Sequence, residues 1–282
     1  MTPAAQHAPL VRVVLVGVTG RMGGALLRAA PAFPQLVVTG AIASAASLAL
    51  GRDAGEVGGL GVMNLTVSSD LPAALAQGDV ALDFSHASAA AASLAACRTA
   101  RKPLLIGTSG LPEALEPQIA AAAREIPLLI AANTSLGAAL LTELTRAAAQ
   151  ALPLSFDVDV LDLHHRQKAD APSGTALALG RAAAEGRGVP LEAFLPGTSG
   201  ASPGRAEGRP PGAIGFAAVR AGDLIGEHTV LFTGPGEALS LTHRASDRAV
   251  FAHGALAGAL WLRSQPPGRY AMCDFLGFKT AT

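Results

Sequence analysis

Charge and cysteine are the scarce commodities of this chain. Only 15% of its 282 residues are charged, and the 21 lysines and arginines are balanced by 21 aspartates and glutamates. Such a chain projects no net field that would draw in nucleic acid or an anionic membrane, so its expected partners are small molecules. The two cysteines, Cys97 and Cys273, lie far apart and lack metal-ligand spacing. A disulfide framework is therefore not expected, and a reducing, cytoplasmic location fits. The first ten residues, MTPAAQHAPL, have neither the basic start nor the continuous apolar stretch of a secretory signal and read as a loose tail. Residues 29–51 carry no charge at all, but Pro31, Pro34 and Gly40 interrupt them. That excludes a membrane span and leaves helix end, loop and strand. What is abundant is apolar: half the residues, enough for a full core and for two domains, with no internal repeat.

The stretch VRVVLVGVTGRMGGALLRAA runs from β-branched residues through glycines into an Ala/Leu helical pattern, which reads as strand, tight turn and helix. Apolar runs at QLVVTGAI, DVALDFS, KPLLIGTSG and IPLLIAANTS alternate with helical segments, the pattern of a parallel, doubly wound α/β sheet. The texture changes near residue 135. SLGAALLTELTRAAAQAL predicts a long helix, and SFDVDVLDL alternates with period two until the phase slips at Leu161, which predicts a β-bulge. The Gly/Pro-rich stretch from Gly186 to Gly215 predicts a long surface loop, and FAAVRAGDLIGEHTVLFTGPGEALSLTHRA an antiparallel group of strands. A final amphipathic helix begins near Ser246 or Asp247. The expected organisation is a dinucleotide-binding domain over 11–134, completed by 246–282, around a central α+β domain over 135–245.

Gly17, Gly20 and Gly23 occupy the first strand-to-helix turn, where backbone N–H groups can meet a pyrophosphate closely. The spacing departs from the usual Gly-x-Gly-x-x-Gly, so the turn alone is weak; its context favours a dinucleotide site over a merely geometric role. No acidic residue precedes Asp53, whereas Arg12, Arg21, Arg28 and Arg52 fall in that interval, and Ser44 or Ala45 stands where a ribose-binding acid is expected. A 2′-phosphate would meet no repelling carboxylate there and has arginines within range. NADPH is therefore expected over NADH, with NADH as the second possible donor; the alternative is that these arginines only solvate the surface.

Most of the remaining chemistry is concentrated in LDLHHRQKADAPSGTALALG, residues 161–180. His164, His165, Arg166 and Lys168 lead to Pro172, and Ser173 is placed to cap a helix whose first turn holds Gly174 and Thr175. The exposed N–H groups of that turn and the hydroxyls of Ser173 and Thr175 form a candidate carboxylate cradle beside a cluster of cations. Histidine suits proton donation, and a lysine ammonium suits the fixing of negative charge. A solvated basic loop is the plain alternative. A metal centre is disfavoured because adjacent strand residues point to opposite faces and no cysteine or acid follows at zinc spacing, so no metal is expected.

HHRQKADAPSGTA, with GVTGRMG, GTSG, GAIGFAAVRAGDLIGEHTV and the terminal MCDFLGF, resembles the 4-hydroxy-tetrahydrodipicolinate (dihydrodipicolinate) reductase family of lysine and diaminopimelate biosynthesis, from about Val11 onward. The resemblance implies a Rossmann-type domain built from both ends of the chain, a central mixed-sheet domain that binds substrate, a cyclic dicarboxylate, and a homotetramer. It implies hydride transfer from nicotinamide to substrate C4. His164 would be the proton donor, Lys168 its assistant and a substrate contact, His165 a substrate contact, and Gly174 and Thr175 the carboxylate grip. Gly17, Val18, Thr19, Gly20, Arg21 and Met22 would follow the dinucleotide, with Gly107, Thr108 and Ser109 and then Ala131, Ala132, Asn133 and Thr134 at the nicotinamide side. Three departures stand out: no acid after the second strand, Gln167 where the family often has histidine, and Thr134 where an aromatic residue or methionine is common. Two other classes stay open, another NADP-dependent oxidoreductase and a nucleotide-sensing protein without turnover.

Overall fold

A computed structural model describes residues 10–189 and 213–278. The expected N-terminal tail and most of the expected Gly/Pro-rich loop lie outside the described residues. The chain divides into two compact units, one formed by residues up to Ser135 together with those from Ala249 onward, the other by Leu136–Arg248.

In the first unit, strands β1 (Val11–Val16), β2 (Leu36–Ile42), β3 (Val67–Ser68), β4 (Val80–Asp83), β5 (Leu104–Ile106), β6 (Pro127–Ile130) and β11 (Gly268–Tyr270) alternate with helices. These helices are α1 (Arg21–Ala29), α2 (Ala54–Gly58), α3 (Leu71–Gln77), α4 (Ala90–Ala100), α5 (Glu116–Ala123), α8 (Ala249–Leu262) and α9 (Met272–Phe275). The sheet order is β11-β6-β5-β4-β1-β2-β3, and every pairing is parallel. Strand order reverses between β1 and β4, the place where open α/β sheets leave a crevice at their carboxyl edge. The uniformly apolar runs seen in the sequence follow from this arrangement. Val13, Val14, Leu15, Leu82, Leu104 and Leu105 are fully buried because helices cover both faces of the sheet. Burial of each such side chain contributes about 1.5–3 kcal/mol.

The second unit contains α6 (Leu136–Ala151), β7 (Asp157–His164), α7 (Gly174–Gly186), β8 (Ile214–Arg220), β9 (Gly226–Gly234) and β10 (Glu237–Ala245). Its sheet order is β10-β9-β7-β8. Here the sequence reading needs correction twice. β8 does not pair with its chain neighbour β9; it lies parallel to β7 on the far side, so the group is mixed rather than antiparallel. Nor is there a bulge in β7: its register with both neighbours is unbroken from Asp157 or Val158 to Leu163, and alternate burial holds along the whole strand. What changes after Val160 is chemistry. Val158 and Val160 point into a core with Leu141, Leu179, Phe216 and Phe232, and the next two residues on that same face are Asp162 and His164. The apparent phase slip marks the point where a buried apolar face becomes a buried polar one.

Two glycines of the first turn are required by close approach. Gly17 has φ +86°, and a Cβ there would stand 2.6 Å from the Phe84 carbonyl oxygen; a Cβ at Gly23 would stand 2.4 Å from the carbonyl oxygen of Gly17. Gly17→Ala should therefore lower the stability of this unit by about 1–3 kcal/mol through strain and overlap. Gly51→Ala is the control, since Gly51 also has positive φ (+78°) but nothing within 4 Å of the added atom. Thermal unfolding of the two variants should show the larger loss at position 17; equal losses would contradict the packing account.

Candidate active site

The first unit presents its glycine turn at the carboxyl end of β1. The N–H groups of Gly17 and Val18 both donate to the Ile42 carbonyl, which anchors the turn to the end of β2. Gly20 is the N-cap of α1 and supplies no side-chain cap, unlike Asp53 and Asp70 at the starts of α2 and α3. First-turn N–H groups have no partner within their own helix, and an anion at this end suits both them and the helix dipole. Thr19, Gly20 and Arg21 are exposed here, and no carboxylate lies in the first turn. These features fit a dinucleotide pyrophosphate.

Phe84, just after β4, ties the turn to the neighbouring loop. Its carbonyl backs Gly17, and its ring sits where a Cβ on Gly107 would be, 2.1 Å from a ring carbon. Beneath it the fully buried Asp83 accepts from the Ser85 N–H at 2.8 Å, the Ser85 hydroxyl at 2.5 Å and the Thr108 hydroxyl at 3.3 Å. Sequence reasoning misses Asp83 and Phe84; the signal that could find them is their place at a strand end next to a glycine-dependent turn.

In the second unit, the side chain of Asp162 is fully buried and lies at the centre of the polar cluster. Its Oδ2 accepts from the Ser173 N–H at 2.7 Å and from Arg220 Nη2 at 2.9 Å; its Oδ1 accepts from the Ser173 hydroxyl at 2.8 Å. His228 Nε2 stands 3.2 Å from Oδ1 and 3.1 Å from the Ser173 oxygen, and His164 Nδ1 stands 2.9 Å from Oδ1. The His164 ring is turned off the line of a good hydrogen bond, so this last contact is close without being aligned. Burial alone would raise the Asp162 pKa, but His228, Arg220 and the two Ser173 donors outweigh it and hold the carboxyl far below its usual range. For His164 burial dominates: it takes the imidazole down to about 4, against the opposing pull of Asp162 and with His228, Lys168 and Arg220 adding repulsion.

Of the residues expected from the sequence, Ser173 does cap α7, through the Ala176 N–H at 3.1 Å. Both its hydroxyl proton and its N–H are directed to Asp162 in this structure. Gly174 is exposed, with open space around the position of a Cβ, and Thr175 is half-buried beside it. Lys168 Nζ donates to the exposed Asp170 carboxylate at 2.8 Å. His165 is half-buried with no partner for its Nδ1 among the described residues. Asp162, Arg220 and His228 are the residues that sequence reasoning missed.

In the first unit Val18 is buried, so only its backbone serves the turn, and Met22 is half-buried. Gly107 and Ser109 flank the buried Thr108, whose hydroxyl also donates to the Asp83 carbonyl. Ala131 is buried and Ala132 exposed; the Asn133 Oδ1 accepts from the Ser135 N–H. The Thr134 side chain is 2% exposed and donates to the Phe251 carbonyl of α8 at 2.6 Å. The expected arginines also separate. Arg12 sits at the amino end of β1, paired with Asp79 at 2.7 Å, and Arg28 donates to the Gly58 carbonyl, which leaves Arg21 and Arg52 exposed on the carboxyl side.

Asp162, His164 and His228 are, among the described residues, the group whose ligand atoms lie close enough to surround a cation. Arg220 pairs with the other oxygen of that carboxylate, Oδ2, at 2.9 Å and supplies a countercharge to it.

The chain matches the family models "Dihydrodipicolinate reductase, N-terminus" over residues 11–134 and "Dihydrodipicolinate reductase, C-terminus" over 137–276. It belongs to the dihydrodipicolinate reductase family. It is 45% identical to the 4-hydroxy-tetrahydrodipicolinate reductase of Alkalilimnicola ehrlichii, over 94% of this chain and 98% of that one. It is 44% identical to the enzyme of the same name from Thiobacillus denitrificans, over 95% and 99%. A structure of dipicolinate-bound dihydrodipicolinate reductase from Paenisporosarcina sp. TG-14 superimposes with a TM-score of 0.74 at 22% identity, covering 93% of this chain and 97% of that one. An amine dehydrogenase from Mycobacterium smegmatis superimposes at 0.59 with 15% identity, covering 95% and 96%. These last two likenesses concern fold. As a member of the family the protein is an NAD(P)H-dependent oxidoreductase. No helix among the described residues is long and apolar enough to cross a membrane.

The buried imidazole has a measurable consequence for stability. His164 titrates near 6.5 when unfolded and near 4 in the folded chain, so between these values the unfolded state binds the extra proton. Stability from this group is full above pH 6.5 and falls as pH drops towards 4. Denaturant unfolding at pH 7.5, 6 and 5 should show this loss, and His164→Gln should flatten it; an unchanged slope in the variant would contradict the burial argument.

Proposed function

We propose that the protein reduces 4-hydroxy-tetrahydrodipicolinate to tetrahydrodipicolinate in lysine and diaminopimelate biosynthesis, with NADPH preferred over NADH. The observation that carries the reading is the buried His164 on the strand that leads to Lys168 and the open N-terminus of α7, in a chain of this family. Reduced nicotinamide, when bound, supplies the hydride, which goes to substrate C4; the hydroxyl leaves as water, and one proton is consumed overall.

Each residue then has a separable task. Gly17 to Met22, with Gly107, Thr108 and Ser109 and the backbone of Ala131 to Thr134, hold the dinucleotide. Gly174 and Thr175 grip one substrate carboxylate through first-turn N–H groups, and His165 and Lys168 bind the remainder of the dicarboxylate, Lys168 leaving Asp170 to do so. His164 delivers the proton. With its pKa near 4 the imidazole is neutral at pH 7 before substrate arrives, and two substrate carboxylates beside it favour the cation. Proton uptake therefore accompanies substrate binding.

NADPH preference rests on Arg21 and Arg52, exposed on the carboxyl side of the sheet, and on the absence of an acid after β2, where the Ser44 hydroxyl instead accepts from the Ala46 N–H. We also read the protein as a cytoplasmic homotetramer assembled through the outer face of its second sheet, where Leu161, Leu163, Val219 and Leu231 stay partly exposed.

A coupled assay with freshly prepared substrate and each cofactor tests the reading: NADPH should give the higher kcat/KM, and absence of turnover with both would overturn it. His164→Gln should lower kcat by about 10²–10⁴ with a much smaller change in KM, because the proton moves in the transition state. Lys168→Ala should lose in both; unchanged kinetics there would favour a solvated loop. Light scattering of the wild type and Leu231→Glu should show a tetramer that dissociates in the variant, and a monomeric wild type would remove the assembly.

A further inference from the structure

Resting on that reading, we infer that Asp162 is a positioning residue that holds the His164 proton donor and the carboxylate grip of α7 on one buried charge. Three observations carry it. The carboxylate is fully buried, and its two oxygens serve both elements at once: Oδ1 faces His164 Nδ1 at 2.9 Å and accepts from the Ser173 hydroxyl, while Oδ2 accepts from the N–H of the same serine, the N-cap of α7. Arg220 fixes the carboxylate from β8, donating to its side chain at 2.9 Å and to its backbone carbonyl at 3.0 Å, and also holds the Asp170 carbonyl of the intervening loop. His228 closes the cluster from β9, with its ring edge-to-face against that of His164 at 5.2 Å.

The geometry fixes the location of the protons. A bare Nδ1 lone pair 2.9 Å from a carboxylate oxygen would be repelled, so neutral His164 carries its proton on Nδ1 and presents Nε2 for loading. The Nε2 side is lined by Gly226, where a Cβ would come within 3.0 Å of that nitrogen. When the ring becomes cationic, Asp162 stabilises it and keeps Nε2–H as the donated proton, and an off-line contact of this kind tightens as a reactive complex forms. His228 donates from Nε2, since both atoms it faces accept. The charged or titratable groups facing His164 are thus Asp162 on its own strand, Arg220 on β8, His228 on β9 and Lys168 on the loop.

The experiment combines nitrogen-15 NMR of histidine-labelled full-length protein with the pH dependence of kcat in wild type, Asp162→Asn and Ser173→Ala. Wild-type His164 should be the Nδ1–H tautomer. Asp162→Asn removes the stabilising charge: it should mix the tautomers, move the alkaline limb of kcat at least one pH unit lower and cut kcat at pH 7.5 by a hundredfold or more, while the dissociation constant of dipicolinate changes less than tenfold. Ser173→Ala withdraws one donor from the carboxylate, making it more basic, and should move the same limb the other way by a smaller amount. A general loosening of structure would produce no such opposite pair. An Nε2–H tautomer in the wild type, which is read even if Asp162→Asn does not fold, or limbs that stay in place in both variants, would overturn the inference. Should the tautomer respond to Asp162→Asn while the wild type turns over no substrate, the pairing stands and the proposed reaction fails.

Discussion

The second unit is organised around one buried negative charge. Taking a carboxylate out of water costs several kcal/mol unless donors replace the solvent. Asp162 meets that demand with the N–H and hydroxyl of Ser173 and the guanidinium of Arg220, with two imidazoles close by. These partners come from β7, β8, β9 and the start of α7, so satisfying one side chain fixes four chain segments together. Each partner in turn loses freedom: Ser173 directs its proton to Asp162, and Arg220 is locked across the strand ends. A buried charge of this kind adds little net stability compared with an apolar core, but it specifies one arrangement of the groups around it.

That arrangement is where fold becomes chemistry. Along β7 the residues facing the helices pass from valine to aspartate to histidine without any break in the strand. A continuously paired strand therefore carries Asp162 and His164, and the loop that follows carries His165 and Lys168. The helix after it begins with an exposed glycine, which leaves the first-turn backbone open. In the first unit the same economy of backbone appears at Gly17 and Gly20, where the helix start has no side-chain cap and Phe84 locks two loops by its carbonyl and ring. Both units thus present the N-terminus of a helix beside a strand end, and the proposed function uses both as anion sites.

The parallel sheet and the residues on the loop after β7 were legible in the sequence because they rest on local signals: β-branched runs, glycines at a strand end, and charge concentrated in an Ala/Leu background. Ser173 as an N-cap was legible for the same reason. The partners of Asp162 were not, since Arg220 and His228 lie more than fifty residues away in sequence and reach it through strand pairing. Period-two patterning assumes that the buried face is apolar, and so a buried Asp and His read as a slip. The crossing of β8 to the far edge of β7 and the inward turn of Thr134 are likewise decided by tertiary packing.

The organisation of the second unit requires Asp162 to be ionised inside the folded unit. Carbon-13 NMR of the aspartate carboxyl carbons, followed from pH 7 downward, measures this without any substrate. The Asp162 signal should keep its carboxylate shift through pH 4, where an ordinary aspartate, with a pKa of about 3.9, is close to half protonated. A signal that titrates at or above that ordinary value would show that the carboxyl is not held by its neighbours as a charge, and the organisation described above would be wrong.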